Sequence, residues 1–213
     1  YRELFSSHLS TLTIKKEPNG LYDPISYILQ LGGKRMRPVL VLMGCEAAGK
    51  EPFSALDAAT AIEFFHNFTL LHDDIMDHAV LRRGKKTVHE KWDVNTGILS
   101  GDALLVKAYQ QLNSYEHVLF SKLTKVLSET AQLVCQGQQH DIDFEARNNV
   151  GMDEYINMIR LKTAVLLGGA LRMGTLVGNA SENIGDCLYD FGVNLGIAFQ
   201  LQDDLLDAFG DPA

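Results

Sequence analysis

Residues 56–77 read Leu-Asp-Ala-Ala-Thr-Ala-Ile-Glu-Phe-Phe-His-Asn-Phe-Thr-Leu-Leu-His-Asp-Asp-Ile-Met-Asp. Within them Leu56, Ala59, Ile62, Phe65, Phe68, Leu71 and Ile75 recur at three- and four-residue steps. That spacing puts the apolar side chains on one face of an α-helix. The stretch ends in three aspartates. Asp73 and Asp77 are four apart and Asp74 and Asp77 three apart, so the carboxylates share a face. They also lie at the negative end of the helix dipole. Like charges so placed do not serve helix stability. Hard cations that bind oxygen would relieve the repulsion, and a solvated acidic helix end is the plain alternative.

Outward from this segment the pattern continues. Residues 117–144, 153–178 and 184–209 show the same period, the last through Ile184, Leu188, Phe191, Leu195, Phe199 and Leu205. Prolines stand only at 18, 24, 38, 52 and 212, which leaves a long proline-free middle. Interior proline costs a helix about 3 kcal/mol, so such a stretch favours long helices. No alternating run bounded by hairpin turns occurs, so strands are not expected. Breaks fall at 15–24, 32–37, 49–54, 82–87 and 148–152, all short, as in helical bundles. The expected fold is all-α, a single bundle of long antiparallel helices around a central cavity.

Composition narrows the class. The chain has 213 residues, 46% of them hydrophobic, which excludes disorder. Its 19 basic and 27 acidic residues give a net charge of −8. That balance argues against nucleic acid and against an anionic membrane as partners. Cys45, Cys135 and Cys187 are scattered and odd in number, which fits a reducing compartment without disulfides. The start shows no signal peptide, and no apolar run reaches the roughly 20 residues a membrane span needs. A soluble cytoplasmic protein without stable membrane insertion is expected.

The aspartate spacing recurs. Asp203, Asp204 and Asp207 repeat it within the 184–209 segment. Two copies on two helices can face each other and share divalent cations, and chance repetition is improbable in a chain this size. Without these six aspartates the acids fall to 21 against 19 bases, so most of the charge excess is local.

Two basic segments complement the acids. Gly32-Gly33-Lys34-Arg35-Met36-Arg37-Pro38 sets three positive charges on a glycine loop, with Pro38 suited to a first helical position. Backbone N–H groups and guanidinium forks there suit an anion such as phosphate. Arg82-Arg83-Gly84-Lys85-Lys86 follows Asp77 closely. Metals on one side and guanidinium groups on the other suit a metal-bound polyanion. Other features are weaker. Lys162 and Thr163 interrupt an apolar helix, and Gly101-Asp102 reads as a helix start. Glu63-x-x-His66 matches half of a di-iron motif but has no second copy. His66 lies two turns before Asp73 and points the same way. Gln138 and Asp141 are one turn apart, which alone says little.

Taken in order, GGKRMRP at 32–38, DDIMD at 73–77, LRRG at 81–84, GQxxD at 137–141, KTA at 162–164 and FQLQDD at 199–204 resemble the trans-isoprenyl diphosphate synthases. Any one motif is weak; six in order over nearly the whole chain are specific. The resemblance implies an all-α prenyltransferase that joins isopentenyl diphosphate to an allylic diphosphate. Asp73, Asp74 and Asp77 match the family's first aspartate-rich motif and Asp203, Asp204 and Asp207 its second. Together they would hold magnesium, about three ions per site, against the allylic diphosphate. Arg82 matches a contact to that diphosphate. Lys162, Thr163 and Gln200 match residues around the ionising carbon and its leaving group. Lys34, Arg37, His66 and Arg83 match the site for isopentenyl diphosphate.

Product length in such enzymes depends on residues just before the first motif, here Phe65, Phe68 and Thr69. A bulky Phe68 implies a floor and a C15 to C20 product, and the absence of a two-residue insertion in the motif tilts this to C20. A longer-chain synthase and a catalytically silent regulatory relative are the alternatives. Both aspartate motifs are intact, which speaks against the silent relative. A class I terpene cyclase does not need the second anion site at Lys34, Arg37 and His66. The resemblance also implies a homodimer. The family continues past Asp207 with further helices and another lysine, so 1–213 is expected to be one isoprenoid synthase domain lacking its C-terminal helices.

Overall fold

The computed structural model describes residues 1–12, 14 and 17–210. Residues 15 and 16 of the first break and Pro212 lie outside the described residues. The helices are α1 (Arg2–Thr11), α2 (Asn19–Gln30), α3 (Met36–Ala47), α4 (Leu56–Met76), α5 (Val88–Lys91) and α6 (Val94–Gln111). They continue as α7 (His117–Glu145), α8 (Met152–Ile159), α9 (Val165–Val177) and α10 (Glu182–Phe209). The all-α expectation holds. No helix among the described residues is long and apolar enough to cross a membrane.

The chain gathers into two compact units. The first joins Tyr1–Val39 to Leu56–Glu116, the second Leu40–Ala55 to His117–Ala213. In the first unit α4 packs on α6, and α2 lies against α6. Its core includes Ile62, Phe64, Phe65, Leu71, Leu104 and Leu112, all essentially inaccessible. In the second unit α9 packs against both α7 and α10. Helix α9 is buried nearly all round, from Val165 to Val177. A helix apolar on every side is a central one.

Four sequence expectations need correction. First, the segment 153–178 is not one helix. A five-residue π turn, Arg160–Ala164, joins α8 to α9. Helix α9 is buried nearly all round, so no change of phase in the sequence marks the extra residue. Second, a short antiparallel ribbon exists: β1 (Leu81–Arg82) pairs with β2 (Lys85–Lys86), Arg82 opposite Lys85. Two residues per strand are too few to show alternation. Arg83 and Gly84 both take positive φ, 53° and 72°, to turn it.

Third, helices run through two positions read as breaks or starts. α2 begins at Asn19 and contains Pro24, which is buried. The ring's burial offsets the single backbone bond it removes near the helix start. Gly101 sits inside α6, and not at its beginning; a Cβ there would strike the His72 ring. Fourth, Pro38 is the third residue of α3. The first four N–H groups of a helix lack intrahelical partners anyway, so this position also accepts proline.

Candidate active site

In the first unit the end of α4 carries the aspartates. Asp74 is 1% exposed and is grasped by Arg82: Nε donates to Oδ1 at 2.8 Å and to Oδ2 at 3.0 Å, and Nη2 lies 2.6 Å from Oδ1. The ribbon after α4 turns the chain back and brings Arg82 to this carboxylate. Asp73 is half-buried and Asp77 exposed.

Next to this pair lies the glycine loop. Gly32 and Gly33 have φ of 79° and 131°, a conformation that L side chains rarely adopt. The Arg83 guanidinium donates through Nη1 to the Gly32 carbonyl. It lies where a Cβ on Gly33 would be, 2.7 Å from that point, so glycine is also required for space. Arg37 Nη1 donates to His66 Nε2 at 3.1 Å. With Nε2 accepting, His66 is neutral. Burial pushes its pKa well below the usual imidazole value, and Arg37, Arg83, Arg82 and Arg35 push it the same way. Burial draws Arg37 down to about 10, opposed by Glu63, so it stays charged at neutral pH. The Nε of Arg37 is buried and unpartnered among the described residues. Burial lowers Arg83 as well. Lys34 is exposed on the same loop. Arg37 donates to an imidazole and Arg83 to a carbonyl. A buried guanidinium with an unused N–H is a receptor for an anion.

In the second unit the π turn carries Lys162 and Thr163. Single π turns inside helices recur at functional sites because the extra residue re-aims side chains. Gly137 of α7 lets the two backbones touch: a Cβ there would overlap the Lys162 main chain. Lys162 Nζ donates to Asp141 Oδ2. Thr163 Oγ1 donates to Gln200 Oε1 at 3.1 Å, and Gln200 Nε2 donates to Asp204 Oδ1 at 2.8 Å. The other Asp204 oxygen accepts from the Tyr155 hydroxyl. Burial first and then Asp204 push the Tyr155 phenol up to about 12. Asp203 is half-buried and Asp207 exposed on α10. Gln138 is buried, and neither of its amide atoms has a partner among the described residues.

Each unit therefore brings its own predicted residues together. His66, Arg37, Arg83, Arg82 and Asp74 form one cluster; Lys162, Thr163, Gln200 and Asp204 belong to another. The chain-length candidates divide. Phe65 is fully buried core, and Phe68 contacts Phe65 and His72 with ring centroids 5.6 and 4.7 Å away. Thr69 bonds back to the His66 carbonyl at 2.8 Å. Among the described residues no three His, Cys, Asp or Glu side chains converge on one point. Asp74 is bonded to Arg82, and Asp204 to Tyr155 and Gln200. The donors themselves, all carboxylates, fit magnesium, a hard cation that prefers oxygen.

Three residues of these clusters escape a reading of the sequence. Tyr155 precedes Lys162 by seven positions, two turns, and that spacing is its available signal. Glu63 is visible only as part of an incomplete metal motif. Arg35 reads as loop charge without a partner.

A family model described as polyprenyl synthetase matches residues 18–213. A geranylgeranyl diphosphate synthase of Methanosarcina mazei is 44% identical over 192 residues, covering 89% of this chain and 59% of its own. A crystal structure of a geranylgeranyl pyrophosphate synthase superposes with a TM-score of 0.97 at 57% identity, over 100% of this chain and 65% of that one. A polyprenyl synthase from Caulobacter crescentus, solved with calcium and isoprenyl diphosphate, gives 0.86 at 29% identity, over 97% of this chain and 60% of the other. The chain thus spans about three fifths of the length of such relatives.

Proposed function

The chain belongs to the polyprenyl synthetase family, and from that membership we propose that it condenses isopentenyl diphosphate with dimethylallyl, geranyl or farnesyl diphosphate. The product is an all-trans prenyl diphosphate, C20 in the favoured case. One observation carries the reading: Arg37 donates to a neutral His66, Arg83 donates to the Gly32 carbonyl, and the Nε of Arg37 stays buried and unused. Such a receptor suits a diphosphate beside an aspartate motif. The names of the Methanosarcina relative and of the crystal structure support the C20 product.

In this reading Asp73, Asp74, Asp77, Asp203, Asp204 and Asp207 hold magnesium, about three ions. Bound magnesium supplies charge neutralisation of the allylic diphosphate oxygens. Arg82 and Lys162 offset the charge that grows on that diphosphate as the allylic C–O bond breaks and the leaving group takes the electron pair. Donors fixed before the reaction are worth most where water is excluded. Thr163 and Gln200, already bonded to each other, orient the leaving group. Lys34, Arg37, His66 and Arg83 hold the second diphosphate while the double bond of isopentenyl diphosphate forms the new C–C bond. A proton then passes to the released diphosphate. Phe68 forms the floor that stops the growing tail, and the working assembly is a cytoplasmic homodimer, in line with the family resemblance.

The test is incubation of the full-length protein with magnesium, isopentenyl diphosphate and each allylic primer, followed by chromatography. C20 product is expected. No elongation would overturn the reading, and products of C30 or longer would overturn only the length.

A further inference from the structure

Glu63 and His66 are one helical turn apart on α4, and each meets a different arginine of the glycine loop. Arg37 donates to His66; Arg35 donates to Glu63 Oε1 through Nη1 and to the Leu29 carbonyl through Nη2. Asn67 Nδ2 braces Glu63 from the next turn, donating to Oε1 at 3.0 Å and to the Glu63 carbonyl at 2.7 Å. Glu63 is 2% exposed, Asn67 1%, and the Arg35 side chain 8%. Arg35 of the loop and Arg37 at the start of α3 thus engage successive turns of α4, which fixes the loop in a single register.

Two observations say that this pair does more than add stability. Buried ion pairs contribute little net stability, because desolvation offsets attraction. Arg35 also sits at a φ of 52°, disfavoured for any residue with a Cβ. Such a conformation persists where the surroundings over-determine it, and it clusters at functional sites. Here the over-determination comes from Glu63 and the Leu29 carbonyl.

We propose that Arg35 and Glu63 are a positioning pair that sets the loop on α4 and so aims Lys34 and Arg37 at the diphosphate of isopentenyl diphosphate. That role rests on the anion-site reading above. Arg35 does not itself bind substrate in this account, because its guanidinium is spent on Glu63 and Leu29. Lysine at position 35 keeps the charge but cannot make both contacts from one rigid fork.

The experiment uses the full-length protein. Isopentenyl diphosphate binding is measured by calorimetry in EDTA, beside KM for each substrate and the melting temperature, for wild type, R35K and E63Q. Both variants are expected to bind about tenfold more weakly, the scale of one charge-assisted hydrogen bond. KM for isopentenyl diphosphate rises with it, while KM for the allylic primer stays within about twofold. Wild-type binding with equal binding by both variants overturns the positioning role alone, and so does a parallel rise in both KM values. Loss of fold in both variants also overturns it, by making the pair structural. No binding by wild type overturns the anion-site reading and the positioning role together.

Discussion

Asp74 on α4 and Asp204 on α10 occupy the same place in two copies of one motif, yet their surroundings differ. Asp74 is buried and its charge is answered by the Arg82 guanidinium. Asp204 is half-buried and held by neutral donors, the Tyr155 hydroxyl and the Gln200 amide. A carboxylate bonded to neutral donors keeps its net charge for a cation. A carboxylate paired with arginine is part of the scaffold as well as of the chemistry. Identical spacing therefore does not mean identical duty.

The sharpest way to break this comparison is to neutralise each aspartate. D74A leaves Arg82 without its partner, and breaking a buried pair costs about 3–5 kcal/mol. The partial exposure of Arg82 puts the expected loss near 3 kcal/mol, on the order seen when such pairs are cut, and urea or thermal unfolding reads it. D204A is expected to cost about 1 kcal/mol or less, while prenyl transfer falls by about a hundredfold or more in both. Equal destabilisation would remove the distinction. Next is G137A, which drives a methyl group into the Lys162 backbone and is expected to cost about 1–3 kcal/mol by overpacking. The π turn would shift with it, so activity should fall alongside the melting temperature.

A smaller effect concerns acid. His66 has its folded pKa depressed, so the unfolded chain binds the extra proton first. Stability from this group is full above the ordinary imidazole value near 6.5 and declines as pH falls below it, by at most about 1.4 kcal/mol per pH unit. H66N should flatten that slope in melts between about pH 6.5 and 5. The smallest effect on energy is F68A: turnover changes little, and products lengthen beyond C20 by chromatography. An unchanged product profile would count against Phe68 as the floor.

Much of this is legible from the chain itself. The 56–77 helix is readable because its apolar residues keep a strict period up to Leu71, and the two aspartate sets because their spacing repeats. The glycine loop announces an anion through its three bases. What stays hidden has physical causes. A π turn changes backbone bonding without changing composition, so the 153–178 segment reads as one helix. Arg35, Glu63 and Tyr155 act through contacts 28 and 49 residues away in sequence, which no local pattern records.

The π turn also bears on how this chain can vary. A π turn absorbs its extra residue locally, so removing one residue from Arg160–Ala164 would restore ordinary helical winding and leave α9 nearly in phase. Leu166, Leu167, Leu171 and Met173 would stay enclosed, while Lys162 and Thr163 would lose the winding that aims them. The extra residue thus serves the placing of Lys162 and Thr163, not the packing of α9. Drift, recombination and engineering should therefore be able to shed this residue without unpacking α9, and the loss would fall on the site instead.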